Sequence, residues 1–211
     1  MSGPEILINR PFLLRTVNSL GRVLDSSRVR LVHLNAQEIL DRAQLSTGVT
    51  LSESVPRTGL ERLVNSLNNE AELSPFGRFA IRNFLRRAVE SRLKVDGALR
   101  SPTGDDQPEI QEPVVIVGMP RSGTTILHAL LHLDRNHRAP LSWECLLPYP
   151  APRAEDYESC ERVRTIRREF DQIFRLVPDF KKKHYMEADS PQECIGITAL
   201  NFASSQFRAM A

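Results

Sequence analysis

The sequence predicts an α/β fold. A parallel sheet flanked by helices follows a helical N-terminal region, and the sheet is incomplete within this chain. Three observations predict it. The apolar run Val114–Val117 (VVIV) suits a fully buried parallel strand. Two glycines, Gly118 and Gly123, then stand at the spacing G-x-x-x-x-G. From Thr124 to Leu133 the side chains of Ile126, Leu127, Leu130 and Leu131 fall on one side of a helix.

The elements follow in order. Residues 1–100 form the helical region. Asn35 to Gln44 (NAQEILDRAQ) is a short amphipathic segment, and between Gly59 and Leu73 the residues Leu60, Leu63, Val64 and Leu67 recur at helical spacing. Ser74 caps a longer helix, with Pro75 at its first position, where a missing N–H costs nothing. On that helix Phe76, Phe79, Ala80, Phe84, Ala88 and Val89 form one face and Arg78, Arg82 and Arg86 a solvated one. Residues 101–112 (SPTGDDQPEIQE), with two prolines, a glycine and several acids, read as a linker. Residues 113–211 then carry the α/β part. Ala139 to Trp143 is a candidate second strand, and prolines 148, 150 and 152 mark a loop. A charged helix spans about Glu155 to Leu176. The last helix opens with the capping-box pattern Ser190-Pro191-Gln192-Glu193 and runs to the chain end.

Composition narrows the function classes. The 211 residues are 41% apolar and 26% charged, as in ordinary globular proteins. A net charge of +2 gives no reason to expect a nucleic-acid partner. Cys145, Cys160 and Cys194 are widely spaced and odd in number, which reads as reduced thiols rather than a zinc site. No apolar leader and no transmembrane segment is evident, so a cytoplasmic location is expected.

The stretch PVVIVGMPRSGTTILHALL, residues 113–131, carries the chemistry. A strand that ends in a glycine turn and feeds a helix aims several backbone N–H groups at one point, where the helix dipole adds positive charge. A phosphate is the natural guest. Thr124 and Thr125 stand in the first helical turn, where hydroxyls can donate to phosphate oxygens. In a nucleoside-triphosphate loop a lysine follows the second glycine; here Thr124 takes that place and the cation is Arg121. A guanidinium can hold a terminal anionic group by two parallel hydrogen bonds. No Asp-ended apolar strand follows to supply a second Mg²⁺ ligand, which favours a metal-free group transfer. The bland alternative is a tight strand–helix connection with no ligand.

The string PVVIVGMPRSGTT resembles the 5′-phosphosulfate loop of the sulfotransferases that use 3′-phosphoadenosine 5′-phosphosulfate (PAPS), where [KR]-x-G-T-T replaces the lysine motif. Residues 127–152, the segment HYMEADSPQEC at 184–194 and the helical N-terminal stretch are similar to a bacterial branch of that family. The resemblance implies a P-loop-type fold and sulfuryl transfer from PAPS to a hydroxyl or amine of a small acceptor, without a metal. It places Arg121, Ser122, Gly123, Thr124 and Thr125 on the 5′-phosphosulfate. Arg121 and the loop N–H groups would also stabilise charge on the leaving oxygen.

Such a transfer needs a base near the acceptor proton. Glu144 is the first candidate, because it follows the candidate second strand, where several sulfotransferases place a glutamate. Beside Trp143 and Leu146 its carboxylate is partly desolvated. Its alternative roles are to cap a helix or to pair with an arginine such as Arg121 or Arg138. His184, after Lys181–Lys183, is the second candidate, against a packing or anchoring role. His128 and His132 are four apart, a spacing that suits a metal, yet no third ligand is apparent. His137 lies in a turn and faces water.

The family's 3′-phosphate arginine and serine and its Gly-rich adenine cover have no match here, and no residue after 145 reads as a further parallel strand. The chain is therefore expected to be the N-terminal part of a longer protein, with its sheet and cofactor site unfinished and little activity alone. The alternatives are an ATP-dependent P-loop kinase and a non-catalytic truncated relative. The acceptor pocket falls to the N-terminal helices and residues 146–190. Their leucines and phenylalanines suit an apolar lipid, sterol or aromatic alcohol, and core packing explains them equally well.

Overall fold

A computed structural model describes residues 32–51, 55–100, 111–119, 122–178 and 186–209, together with 16, 18 and 19. Among the described residues between 32 and 100 the chain forms three helices. Helix Ala36–Thr47 is capped by Asn35, whose Oδ1 accepts from the Glu38 N–H at 3.0 Å. It stops at Gly48, whose φ of 68° is the left-handed conformation that favours glycine. Helix Arg57–Asn69 buries Leu60, Val64 and Leu67. The long helix Pro75–Leu99 starts where Ser74 Oγ accepts from the Gly77 N–H at 3.1 Å.

The buried face of that long helix is rotated from the expected one. Ile81, Leu85, Ala88, Val89 and Leu93 line the core, while Phe79 is exposed. Arg78 is buried rather than solvated: its Nη1 donates to Asn68 Oδ1 at 3.1 Å, and Asn68 Nδ2 donates to the Leu34 carbonyl at 2.8 Å. A buried guanidinium needs such partners. The aromatic-against-arginine pattern misled because the leucines and isoleucine between them complete a better apolar stripe.

This helical core is closed from the far end of the chain. Ala199, Phe202 and Phe207 pack into it, and Phe207 meets Phe84 edge to face with ring centroids 6.2 Å apart. The final segment is not one helix. Cys194–Ala199 is followed by a turn and the 3₁₀ helix Ser205–Ala209.

A second, smaller core holds Leu141, Trp143, Val163, Ile166, Phe170 and Ala188. Its main helix is Glu161–Leu176; a one-turn helix, Asp156–Ser159, precedes it, and Cys160 lies extended between them. The candidate strand 139–143 is instead a lead-in to a short helix, Ser142–Leu146. Pairing there is limited to a bridge between Leu141 and Pro191. Around that bridge the Gln192 N–H donates to the Pro140 carbonyl at 2.8 Å and the Trp143 N–H to the Ala188 carbonyl at 3.0 Å. Ser91 Oγ, donating to the Leu146 carbonyl at 3.3 Å, and an ion pair between Arg87 and Glu169 join the two cores.

The expected strand Val114–Val117 is not paired with another strand among the described residues. Val114, Val115 and Val117 are exposed, so side chains that alternate between opposite faces both meet open space. No residue of the helix Thr124–His132 is buried.

Candidate active site

Of the expected glycine turn, residues 118, 119, 122 and 123 are described. Gly123 takes φ 87° and stands directly before helix Thr124–His132, whose first main-chain bond runs from the Leu127 N–H to the Gly123 carbonyl at 3.0 Å. An L side chain at Gly123 would be strained. Ser122 closes the turn, donating from both its N–H (3.2 Å) and its hydroxyl (2.6 Å) to the Met119 carbonyl. Gly118 is required by close approach. A Cβ there would stand 2.7 Å from both Ser122 Oγ and Thr124 Cγ2. Beyond the turn, the N–H groups of Thr124, Thr125 and Ile126 have no intrahelical acceptor, which is the state of any first helical turn. Ser122, Gly123 and Thr125 are exposed and Thr124 half-buried. This donor set, preceded by two glycines that keep the backbone bare, fits an anionic phosphate-type group.

Two contacts seat the loop helix. Thr125 Oγ1 lies 3.4 Å from Glu193 Oε1, in donor geometry, and the Ala139 N–H donates to His132 Nδ1 at 3.2 Å. His132 thus ends the loop helix as an acceptor for the chain that leads to Glu144. His137 pairs with Asp134 at 3.0 Å in the intervening turn. Two hydrogen bonds, from the Asn136 N–H and then from His137, hold the Asp134 carboxyl below its ordinary value. Arg121 and His184 lie outside the described residues.

Glu144 is buried, with 7% of its side chain exposed, in the first turn of helix Ser142–Leu146. Its Oε2 accepts from the Leu141 N–H at 2.7 Å, the half of a capping box that a leucine N-cap allows. Its Oε1 accepts from the Tyr157 hydroxyl at 2.7 Å and from Arg138 Nη2. Both alternative roles weighed for this residue, helix capping and pairing with Arg138, are therefore present. Tyr157 is the partner that sequence reading missed. It lies thirteen residues away in the one-turn helix Asp156–Ser159, with no periodic signal to join it to Glu144.

Arg138 also reaches the Tyr157 oxygen and stacks over its ring at 5.6 Å. Burial works against the guanidinium charge, but the Tyr157 hydrogen bond and the Glu144 carboxylate outweigh it and raise the Arg138 pKa. Burial, then the hydrogen bond to Glu144, pushes the Tyr157 phenol up. Trp143, fully buried, packs edge to face against Tyr157 (5.5 Å, 72°), and the Arg162 guanidinium lies over the Trp143 ring at 4.6 Å. Beneath them the Cys145 thiol is pushed up to about 12 by burial and by Glu144, so it is an inert core group.

The chain thus carries a glycine turn whose free N–H donors fit an anion, followed by an enclosed carboxylate–arginine–tyrosine cluster. Residues 113–211 match the model of the Sulfotransferase family. The sequence is 51% identical over 37 residues to the omega-hydroxy-beta-dihydromenaquinone-9 sulfotransferase Stf3 of Mycobacterium bovis and of Mycobacterium tuberculosis, a match that covers 18% of this chain and 10% of each relative. The fold is similar to that of the sulfotransferase STF1 of Mycobacterium tuberculosis H37Rv, with a TM-score of 0.70 and 27% identity over 84% of this chain and 49% of that one. The chain spans about half the length of that solved structure. Among the described residues no helix is long and apolar enough to cross a membrane.

Proposed function

We propose that the protein is a sulfotransferase that moves the sulfuryl group of PAPS to a hydroxyl or amine of a small, apolar acceptor. The observation that carries this reading is the turn 118–125. Its left-handed Gly123, its bare Gly118 and its two helix-opening threonines suit an anion cradle, in sequence that lacks the triphosphate lysine. In this reading Ser122, Gly123, Thr124 and Thr125 hold the 5′-phosphosulfate by N–H and hydroxyl donors, and Arg121 supplies the cation. PAPS, when bound, supplies the sulfuryl group and a stable bisphosphate leaving group. Glu144 is the base, with the Arg138 guanidinium balancing its charge; His184 is the alternative base. The curated relatives are named for a hydroxylated menaquinone, which supports an apolar alcohol as the acceptor class. A cytoplasmic location goes with this reading.

The test is calorimetric titration of the full natural protein with PAPS and adenosine 3′,5′-bisphosphate, with ATP–Mg²⁺ as control. We expect the PAPS pair to bind, and Arg121→Ala to weaken both by at least ~10-fold, the loss of a charge-assisted contact. Binding of ATP–Mg²⁺ in preference to the PAPS pair would replace this reading with a kinase-type site.

A further inference from the structure

Glu144 is poorly placed to touch an acceptor directly. Its side chain is 7% exposed, one oxygen is taken by the Leu141 N–H at 2.7 Å, and the other by Tyr157 at 2.7 Å and by Arg138. A direct base must come within about 2.6–3.2 Å of the proton it takes, or reach it through one intermediary. The Tyr157 hydroxyl is such an intermediary. It donates to Glu144 Oε1, while its side chain as a whole is 40% exposed. The ring makes a T-shaped contact with Trp143 and lies under the Arg138 guanidinium. Arg138 contacts the Tyr157 oxygen and Glu144 Oε1 together, so negative charge on either is met by the same cation.

We propose that Tyr157 is a catalytic proton relay between the acceptor and Glu144; the proposal rests on the sulfotransferase reading above. The acceptor O–H proton passes to the Tyr157 oxygen as the Tyr157 proton passes to Glu144 Oε1. The freed acceptor oxygen forms its bond to sulfur, and the bond from sulfur to the bridging oxygen of the phosphosulfate breaks. Glu144 ends protonated, Tyr157 ends as it began, and the negative charge leaves on the bisphosphate, facing the loop donors. Burial and Glu144 both hold the phenol pKa above its ordinary value, so Tyr157 enters the step as a proton donor and not as a phenolate. The same cluster also anchors the loop before helix Glu161–Leu176, and the test must separate that structural role from the relay.

Two measurements on the full natural protein do so. The first compares wild type with Tyr157→Phe, which keeps the ring and its packing, in sulfuryl transfer from radiolabelled PAPS to two acceptors. One is a primary aliphatic alcohol; the other is a nitrophenol already ionised at the assay pH. For Tyr157→Phe the relay predicts a kcat loss of ~10²-fold or more with the alcohol and less than ~3-fold with the phenolate, which has no proton to give up. An equal loss with both acceptors overturns the relay and leaves an anchoring residue. The second needs no acceptor: ultraviolet difference titration of the tyrosines in wild type, Tyr157→Phe and Glu144→Gln. The high-titrating phenol should vanish in the first variant and move down in the second. A tyrosine titration that Glu144→Gln leaves unmoved overturns the coupling. A wild-type protein that binds no PAPS removes the parent reading, and the relay with it.

Discussion

The segment 113–133 is richer in apolar residues than the helical core, yet its described residues are left open while the core is closed. In the core, Leu40, Leu60, Leu67, Leu85 and Leu93 are fully buried, and Phe202 and Phe207 close the space from the other end of the chain. In the loop segment Val115 is 75% and Leu130 59% exposed, and Val117 and Leu133 are more open still. Local hydrogen bonding accounts for the difference. A helix satisfies its own backbone, so amphipathic helices can bring their apolar faces together without a neighbour to complete their hydrogen bonds. A buried parallel strand is defined by the strands on either side of it, and the valines of 114–117 have none among the described residues. Apolar patterning therefore states that a segment is to be covered; it does not state by what.

The largest effect should separate the two regions by stability. Leu85→Ala empties a fully buried site and should cost about 3 kcal/mol, whereas Leu130→Ala on the exposed loop helix should cost less than about 0.5 kcal/mol. Urea unfolding of this chain measures both. Equal costs would break the comparison and mean that the loop helix is packed in solution. Gly118→Ala should fall between them. Its Cβ would meet Ser122 Oγ and Thr124 Cγ2 at 2.7 Å, but the loop is exposed and can shift, so about 1 kcal/mol is expected, the low end for overpacking. The same substitution should distort the anion cradle, read as weaker PAPS binding with an unfolding transition still cooperative.

Much of this was legible in the sequence. Ser74 and Pro75 announce the start of the long helix, and the structure begins it there, with Ser74 accepting from Gly77. The glycine turn was equally plain, because Gly118 and Gly123 each answer a local demand, close approach in one case and positive φ in the other. Three features were not legible. Ala139–Trp143 has strand-like residues, but the pairing it finds is a bridge to Pro191, and a proline gives no N–H to extend a ladder. The core face of the long helix was misjudged because aromatic rings outweighed leucines in the pattern. Tyr157 was invisible because its partner is set by how helix Ser142–Leu146 meets the loop before Glu161, a tertiary fact with no sequence period.

The smallest stability effect is also the sharpest probe of what the exposed region is for. Thr125 is exposed, and its one described hydrogen bond, to Glu193, is long at 3.4 Å. Thr125→Val keeps the β-branched shape and removes only the hydroxyl, so the unfolding free energy should change by less than about 0.5 kcal/mol. If the hydroxyl donates to the phosphosulfate, losing it should weaken PAPS binding by ~10-fold or more, the range for a hydrogen bond to a charged group. Leu85→Ala should do the reverse, lowering stability while leaving the affinity of the folded fraction unchanged. A Thr125→Val protein with full PAPS affinity would remove that hydroxyl from the cradle and leave anion binding to Thr124, Arg121 and the backbone. A crossed pattern, stability lost at Leu85 and affinity lost at Thr125, would mean that the closed region holds the protein together while the open one is kept open for a ligand.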